Sequence, residues 1–189
     1  SYDFDPATAV NPVGLQFVNS ICEPLLQYHY LKRPLELEPL LVRRVPEFEE
    51  SVERGQTSAG EPRTLYRLRF KLWDGVLFHR GVWFDEPNFA TPRTRELTAK
   101  DVAFSLQRLA DPAINCPYYD SYAHIDGFAA WSARLKRFRE AHPESADWPI
   151  HEMYEHVGDI PGVRVTGRYS FELILTERFR ILRSEEHTS

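Results

Sequence analysis

The chain has 189 residues, enough for one ordinary domain or two small ones. Its 42% apolar and 13% aromatic content supports a packed core and excludes an intrinsically disordered chain. The formal net charge of −5, with basic residues scattered among acids, argues against a nucleic-acid-binding surface, and no apolar run reaches the roughly 18 residues that span a bilayer.

The chain opens on Phe4-Asp5-Pro6-Ala7 and Val10-Asn11-Pro12-Val13-Gly14, where prolines and a glycine shape a loop. Leu15, Val18, Ile21 and Leu25 recur at helical spacing, which predicts a helix over 15–22 that stops at Pro24. A short strand is expected over 26–30. Pro34 and Pro39 bracket an extended or turn-like piece, and 40–45 is apolar up to Pro46. The acidic stretch 47–53 reads as a solvated face, and the glycine- and proline-containing stretch 55–62 as a loop. In Tyr66-Arg67-Leu68-Arg69-Phe70-Lys71-Leu72 apolar and basic residues alternate, the period of a half-buried strand. Its partner is either the region before the 55–62 loop or 76–79, reached through an Asp74-Gly75 turn.

Residues 81–95 have no clear period and read as a surface excursion. The stretch 98–109 predicts a helix capped by Thr98, with Asp101 three residues on and Val102, Leu106 and Leu109 as its buried stripe. Asp111-Pro112 ends it. Trp131, Leu135 and Phe138 share one helical face among basic neighbours at 134–139, and Pro143 closes that helix. A short helix is expected over 150–157. The last element is a β-hairpin in which Val163 and Val165 lead through a Thr166-Gly167-Arg168 turn to Phe171, Leu173 and Leu175. This mixed order predicts an α/β or α+β fold.

Candidate chemistry is sparse. His151, Glu155 and His156 invite a metal-dependent hydrolase reading. The second histidine falls one residue late for two histidines at i and i+4, however, so a solvated helix fits better. His79, beside a turn, reads as structural. No nucleophile elbow, phosphate loop or dinucleotide fingerprint is present, so no enzyme and no cofactor is expected. Cys22 and Cys116 lack metal-type spacing and are expected as free, buried thiols. Tyr118, Tyr119 and Tyr122 cluster after Pro117. Such a cluster can line a cleft, or can pack a loop onto its own domain.

Four segments together resemble the extracellular solute-binding proteins of peptide and oligopeptide ABC transporters. Phe4-Asp5-Pro6-Ala7 resembles the family's opening Leu-Asp-Pro, and Cys22-Glu23-Pro24-Leu25-Leu26 its Tyr-Glu-Pro-Leu-Leu. The block from Leu68 to Gly81 resembles Phe-x-Leu-Arg-x-Gly-Val-x-Phe-His-x-Gly. Leu97-Thr98-Ala99-Lys100-Asp101-Val102-Ala103-Phe104-Ser105 with Arg108 resembles the family's Leu-Thr-Ala-x-Asp-Val-x-Phe-Ser-x-x-Arg helix. The hairpin at 162–176 suits the same pattern. Order and spacing over 4–177 make the match specific.

The resemblance implies part of a two-lobed periplasmic-binding-protein fold with the extra domain of the peptide-binding type. Residues 1–40 would begin the first ligand-binding lobe, 41–165 would form the extra α+β domain, and 166–182 would return to the first lobe. It implies ligand contacts at Val10, Asn11, Pro12 and Tyr118. Val10 stands where the family often has an acid, and Cys116 precedes the Pro-Tyr pair in place of a serine. The implied function is capture of peptides or a related small solute outside the cytoplasmic membrane for an ABC importer. The ligand and the transporter's permease subunits would be its partners, with no nucleic acid. It would be periplasmic or extracellular, and membrane-associated only through the transporter or a lipid anchor. Within the family, nickel, heme, sugar and opine binders are the alternatives. The resemblance ends after Thr176-Glu177. The segment from Arg183 to Ser189 resembles the translation of a sequencing adapter, so the chain is expected to be an N-terminal fragment with a non-native tail.

Overall fold

The computed structural model describes residues 5–49, 54–56, 62–80 and 94–177. Helix α1 (Pro12–Ile21) leads into a hairpin of β1 (Leu26–Tyr28) and β2 (Leu37–Pro39). Short strands β3 (Phe48–Glu49), β4 (Arg54–Gln56) and β5 (Pro62–Thr64) precede the longer β6 (Tyr66–Lys71). Helices α2 (Ala99–Ala110), α3 (Tyr119–Tyr122) and α4 (Phe128–Ala141) follow. A 3-10 turn (Pro143–Asp147), α5 (Ile150–Val157) and a closing hairpin of β7 (Val163–Gly167) and β8 (Ser170–Leu175) complete the order.

The alternation in 66–72 makes β6 one of two central strands. A four-stranded antiparallel sheet has the order β3-β6-β8-β7, with Tyr66 opposite Leu175 and Lys71 opposite Ser170. Leu68 and Phe70, with Leu72 just beyond, point into the core. On the other face Arg69 donates to the Glu172 carboxylate at 3.0 Å. Phe70 lies opposite Phe171 and their rings stack at 4.7 Å, a directly opposed aromatic pair of the kind that stabilises a sheet. Of the two partners that the sequence left open for β6, the first is present and the second is not. The region before the 55–62 loop supplies β3 at one edge, whereas the other neighbour is β8, some hundred residues downstream. The Asp74-Gly75 turn does not fold 76–79 back onto β6. Leu77 bridges Glu96 instead, and Gly75 takes a positive φ of 76°.

Helices α2, α4 and α5 bury Leu106, Phe128, Trp131, Leu135, Met153 and Tyr154 in one cluster with Val42, Leu68, Leu72, Val163 and Phe171. The predicted capping of α2 is present, since the Asp101 carboxylate accepts from both the Thr98 amide and the Thr98 hydroxyl at 2.8 Å. The buried stripe of α2 is rotated from the expected one. Ala99, Leu106 and Ala110 are buried with Gln107, while Val102 and Leu109 are half-buried. Small alanines occupy the positions packed most tightly, which an apolar-bulk reading underweights. The α4 face of Trp131 and Leu135 is buried as predicted, with Phe138 partly so.

Three further expectations shift. Helix α1 begins at Pro12 rather than residue 15, because Asn11 caps it and proline suits the first helical position. The strand expected over 26–30 ends at Tyr28. The ends of the expected loop 55–62 pair as β4 and β5. Residues 81–93 of the expected excursion, 50–53 of the acidic stretch, and the tail at 183–189 lie outside the described residues. No helix among the described residues is long and apolar enough to cross a membrane.

Candidate ligand-binding site

The loop before α1 is built by Asp5. Its backbone carbonyl accepts from Thr8 and Ala9 at 3.0 and 2.9 Å, and its carboxylate accepts from the Ala7 amide at 3.0 Å. This Asx-type turn buries Ala7 and Ala9. The same carboxylate pairs with Arg108 of α2, which ties the loop to the helical layer. Past Ala9 the chain turns outward and Val10 is 58% exposed. The Asn11 side-chain oxygen then accepts from Gly14 at 2.7 Å, which fixes the start of α1 with Pro12 as its first residue.

Tyr118 approaches from the segment before α3. Its hydroxyl donates to the Ala9 carbonyl at 3.0 Å, and its ring stays 39% exposed. The structure therefore places Tyr118 against Ala9, next in the chain to the other three residues singled out in the sequence, Val10, Asn11 and Pro12. The arrangement is an exposed aromatic face and an exposed apolar side chain on a loop anchored by Asp5, Arg108 and the α1 cap. The tyrosine oxygen keeps acceptor capacity while it donates, and the Asn11 amide nitrogen is a donor. Such a wall can stack on a ligand and exchange hydrogen bonds with it, but it holds no acid–base pair.

The tyrosine cluster splits in two. Tyr119 and Tyr122 pack on Phe128 at 5.2 and 6.3 Å, so both serve the core. Burial raises the Tyr122 hydroxyl above its ordinary range. Only Tyr118 turns to the loop. Of the two cysteines, Cys116 is a buried free thiol as expected, while Cys22 is exposed because it stands at the open C-terminal end of α1.

The hydrolase reading finds no support. His151, Glu155 and His156 all lie on the solvent side of α5, since its buried face is Met153, Tyr154 and Val157. The His156 ring packs against Trp148 at 5.1 Å and Phe138 at 6.0 Å. Among the described residues no group of three metal-ligating side chains converges. A cavity lined by Arg139, Ser145, Trp148 and Met153 shares no residue with the 5–12 loop or Tyr118. His79 is exposed.

Sequence reasoning missed a buried, multiply bonded carboxylate. Asp111, read only as a helix end, is 1% exposed. Both guanidinium nitrogens of Arg139 donate to its two oxygens, the second at 2.6 Å. The Ala113 amide and the Tyr154 hydroxyl add bonds at 2.8 Å each. Burial pushes the carboxyl up, but those bonds outweigh it and hold Asp111 below the usual carboxylate range. Burial, then the carboxylate's hydrogen bond, drive the Tyr154 hydroxyl well above its ordinary value. The cluster joins the C-terminus of α2 to α4 and α5 just upstream of Tyr118.

No protein-family model matches the chain, and no curated protein matches it. Solved structures do. One describes peptide binding by the pheromone receptor PrgZ, with a TM-score of 0.53, 17% identity, and coverage of 92% of this chain and 25% of that one. Another is OppA of Listeria monocytogenes bound to peptide, with a TM-score of 0.51, 16% identity, and coverage of 92% and 24%. The chain has the fold of the matching part of these proteins. The mixed α/β class expected from the sequence is the observed one. The chain spans about a quarter of the length of each.

Proposed function

We propose that this chain is part of the substrate-binding component of an ABC importer, and that it captures peptides or a related small solute outside the cytoplasmic membrane. The observation that carries the reading is the Tyr118 hydroxyl bonded to the Ala9 carbonyl. It sets an exposed aromatic ring beside Val10, Asn11 and Pro12, in a fold whose solved relatives are described with bound peptide. These four residues form one wall of the ligand site. Residues 1–40 belong to the first ligand-binding lobe and 41–165 to the extra domain. The return to the first lobe is assigned to residues 166–182, of which β8 is still hydrogen-bonded inside the sheet between β6 and β7. The wall acts by stacking and hydrogen bonding, with roomy side-chain tolerance, and performs no chemistry on the ligand. Lobe closure would exclude water and strengthen its polar contacts. Permease subunits of the transporter are the implied protein partners.

Val10 carries no charge to meet a peptide amine and is well exposed. That favours ligands whose recognition at this wall is apolar and aromatic. The test is a titration of the isotope-labelled chain with a mixture of short peptides, followed by nuclear magnetic resonance. Amide shifts confined to 8–11 and 118–119, reduced in Tyr118→Ala, are the expected result. Shifts confined to α5, or none at millimolar peptide, would count against the assignment.

A further inference from the structure

The β1–β2 hairpin forms a two-stranded sheet of its own, outside the four-stranded sheet, and its connecting tip stands clear of the core. Tyr30 and Leu31 at the tip are the most exposed large apolar side chains among the described residues, at 86% and 77%. Leu35 and Tyr28 flank them, each about half exposed. The tip is nevertheless shaped. His29 donates its amide to the Glu36 carbonyl at 2.8 Å, and the Leu31 amide donates to the His29 ring at 3.2 Å. The Arg33 guanidinium donates to the Lys32 carbonyl at 2.8 Å and to the Tyr30 carbonyl at 3.3 Å. These bonds shape the loop while its apolar side chains face outward.

The charge of the tip opposes that of the chain. Residues 28–35 hold His29, Lys32 and Arg33 and no acid, on a chain whose net charge is −5. The nearest acids, Glu36 and Glu38, sit where the tip meets β2, and Glu36 pairs with Lys32 across the surface. Such an exposed pair holds weakly and leaves the lysine available to a stronger anion.

We propose that this tip inserts into an anionic lipid surface. Tyrosine places an amphipathic ring at the headgroup level, leucine enters the acyl boundary, and lysine and arginine stems reach back to the headgroup phosphates. Eight residues on a convex loop fall far short of the roughly 20–30 residues a side that a stable protein interface uses, whereas shallow insertion needs no more than a few side chains. The acidic remainder of the chain is repelled by the same surface, so contact is confined to the tip. The inference stands on the hairpin alone and does not depend on the ligand-binding reading.

The test is co-sedimentation of the full chain with vesicles of equal parts phosphatidylcholine and phosphatidylglycerol, against vesicles of phosphatidylcholine alone. Binding to the anionic vesicles that weakens with added salt is expected. Lys32→Gln and Arg33→Gln should each weaken it about fivefold, the value of roughly one cationic contact at a charged membrane. The double variant Tyr30→Ser/Leu31→Ser should abolish it while circular dichroism stays unchanged, since both side chains lie outside the core. Failure of the wild-type chain to bind, equal binding to neutral vesicles, or binding unaffected by these variants would each overturn the proposal. So would self-association or capture of a protein partner that depends on Tyr30 and Leu31 without any vesicle binding.

Discussion

Replacing Asp111 with asparagine removes a buried, multiply bonded charge at nearly constant side-chain volume. The carboxylate accepts two bonds from Arg139, one from the Ala113 amide and one from Tyr154, in a position 1% exposed. Asparagine removes the charge and can reproduce at most part of that set. Breaking a buried, hydrogen-bonded ion pair by changing one partner costs about 3–5 kcal/mol. Arg139 keeps 26% of its side chain in solvent and can rehydrate in part, so the low end, about 3 kcal/mol, is expected. Urea unfolding followed by circular dichroism measures it. The pH dependence gives a second readout. The folded carboxyl lies below its unfolded value of roughly 4, so its stabilisation is complete above that value and is lost as pH falls through the folded pKa. The difference between wild type and Asp111→Asn should therefore shrink below about pH 4. A loss under about 1 kcal/mol at neutral pH, or a difference that does not change in acid, would show that solvent already meets the needs of both groups.

Three other substitutions probe separate links. Gly162→Ala would set a Cβ 2.6 and 2.7 Å from backbone atoms of Asp126 and 2.8 Å from the Ile174 carbonyl, so thermal unfolding should show a loss of about 1–3 kcal/mol or more. Asp101→Ala removes the carboxylate that holds the Thr98 amide and pairs with Arg95, and should cost about 1 kcal/mol in denaturant titration. Tyr118→Phe deletes the bond to Ala9 but keeps the ring, and should lower stability by about 1 kcal/mol. Hydrogen exchange of the Ala9, Val10 and Asn11 amides should speed up in that variant while α5 stays protected.

The sequence pattern carried elements whose stabilisation is local. The strict alternation of 66–72 and the Thr98–Asp101 spacing each specify a strand or a cap without reference to distant residues, and both are present. The closing hairpin follows from the same reasoning. What stayed hidden depends on contacts between remote segments. Nothing in 66–72 names β8 as a neighbour, since the pairing of Phe70 with Phe171 rests on packing across the sheet. Asp111 beside a proline carries the ordinary signature of a helix end, and its burial follows only once α4 delivers Arg139. The residues proposed for the site came from family resemblance alone. The geometry of the site was not legible, because the bond from Tyr118 to Ala9 spans more than a hundred residues. A proline at the start of α1 and the Asn11 cap were readable from local chemistry and would have placed the helix start at residue 12.

The central claim is that residues 10–12 and Tyr118 form one wall of a ligand site. Photo-crosslinking tests it most directly, with short peptides that carry a photoactivatable side chain and with the modified residues mapped by mass spectrometry. The account predicts adducts concentrated on Val10, Asn11, Pro12 and Tyr118, suppressed by excess unlabelled peptide. Adducts spread over the surface, or concentrated around Arg139 and Trp148 and equally displaced by that excess, would contradict it.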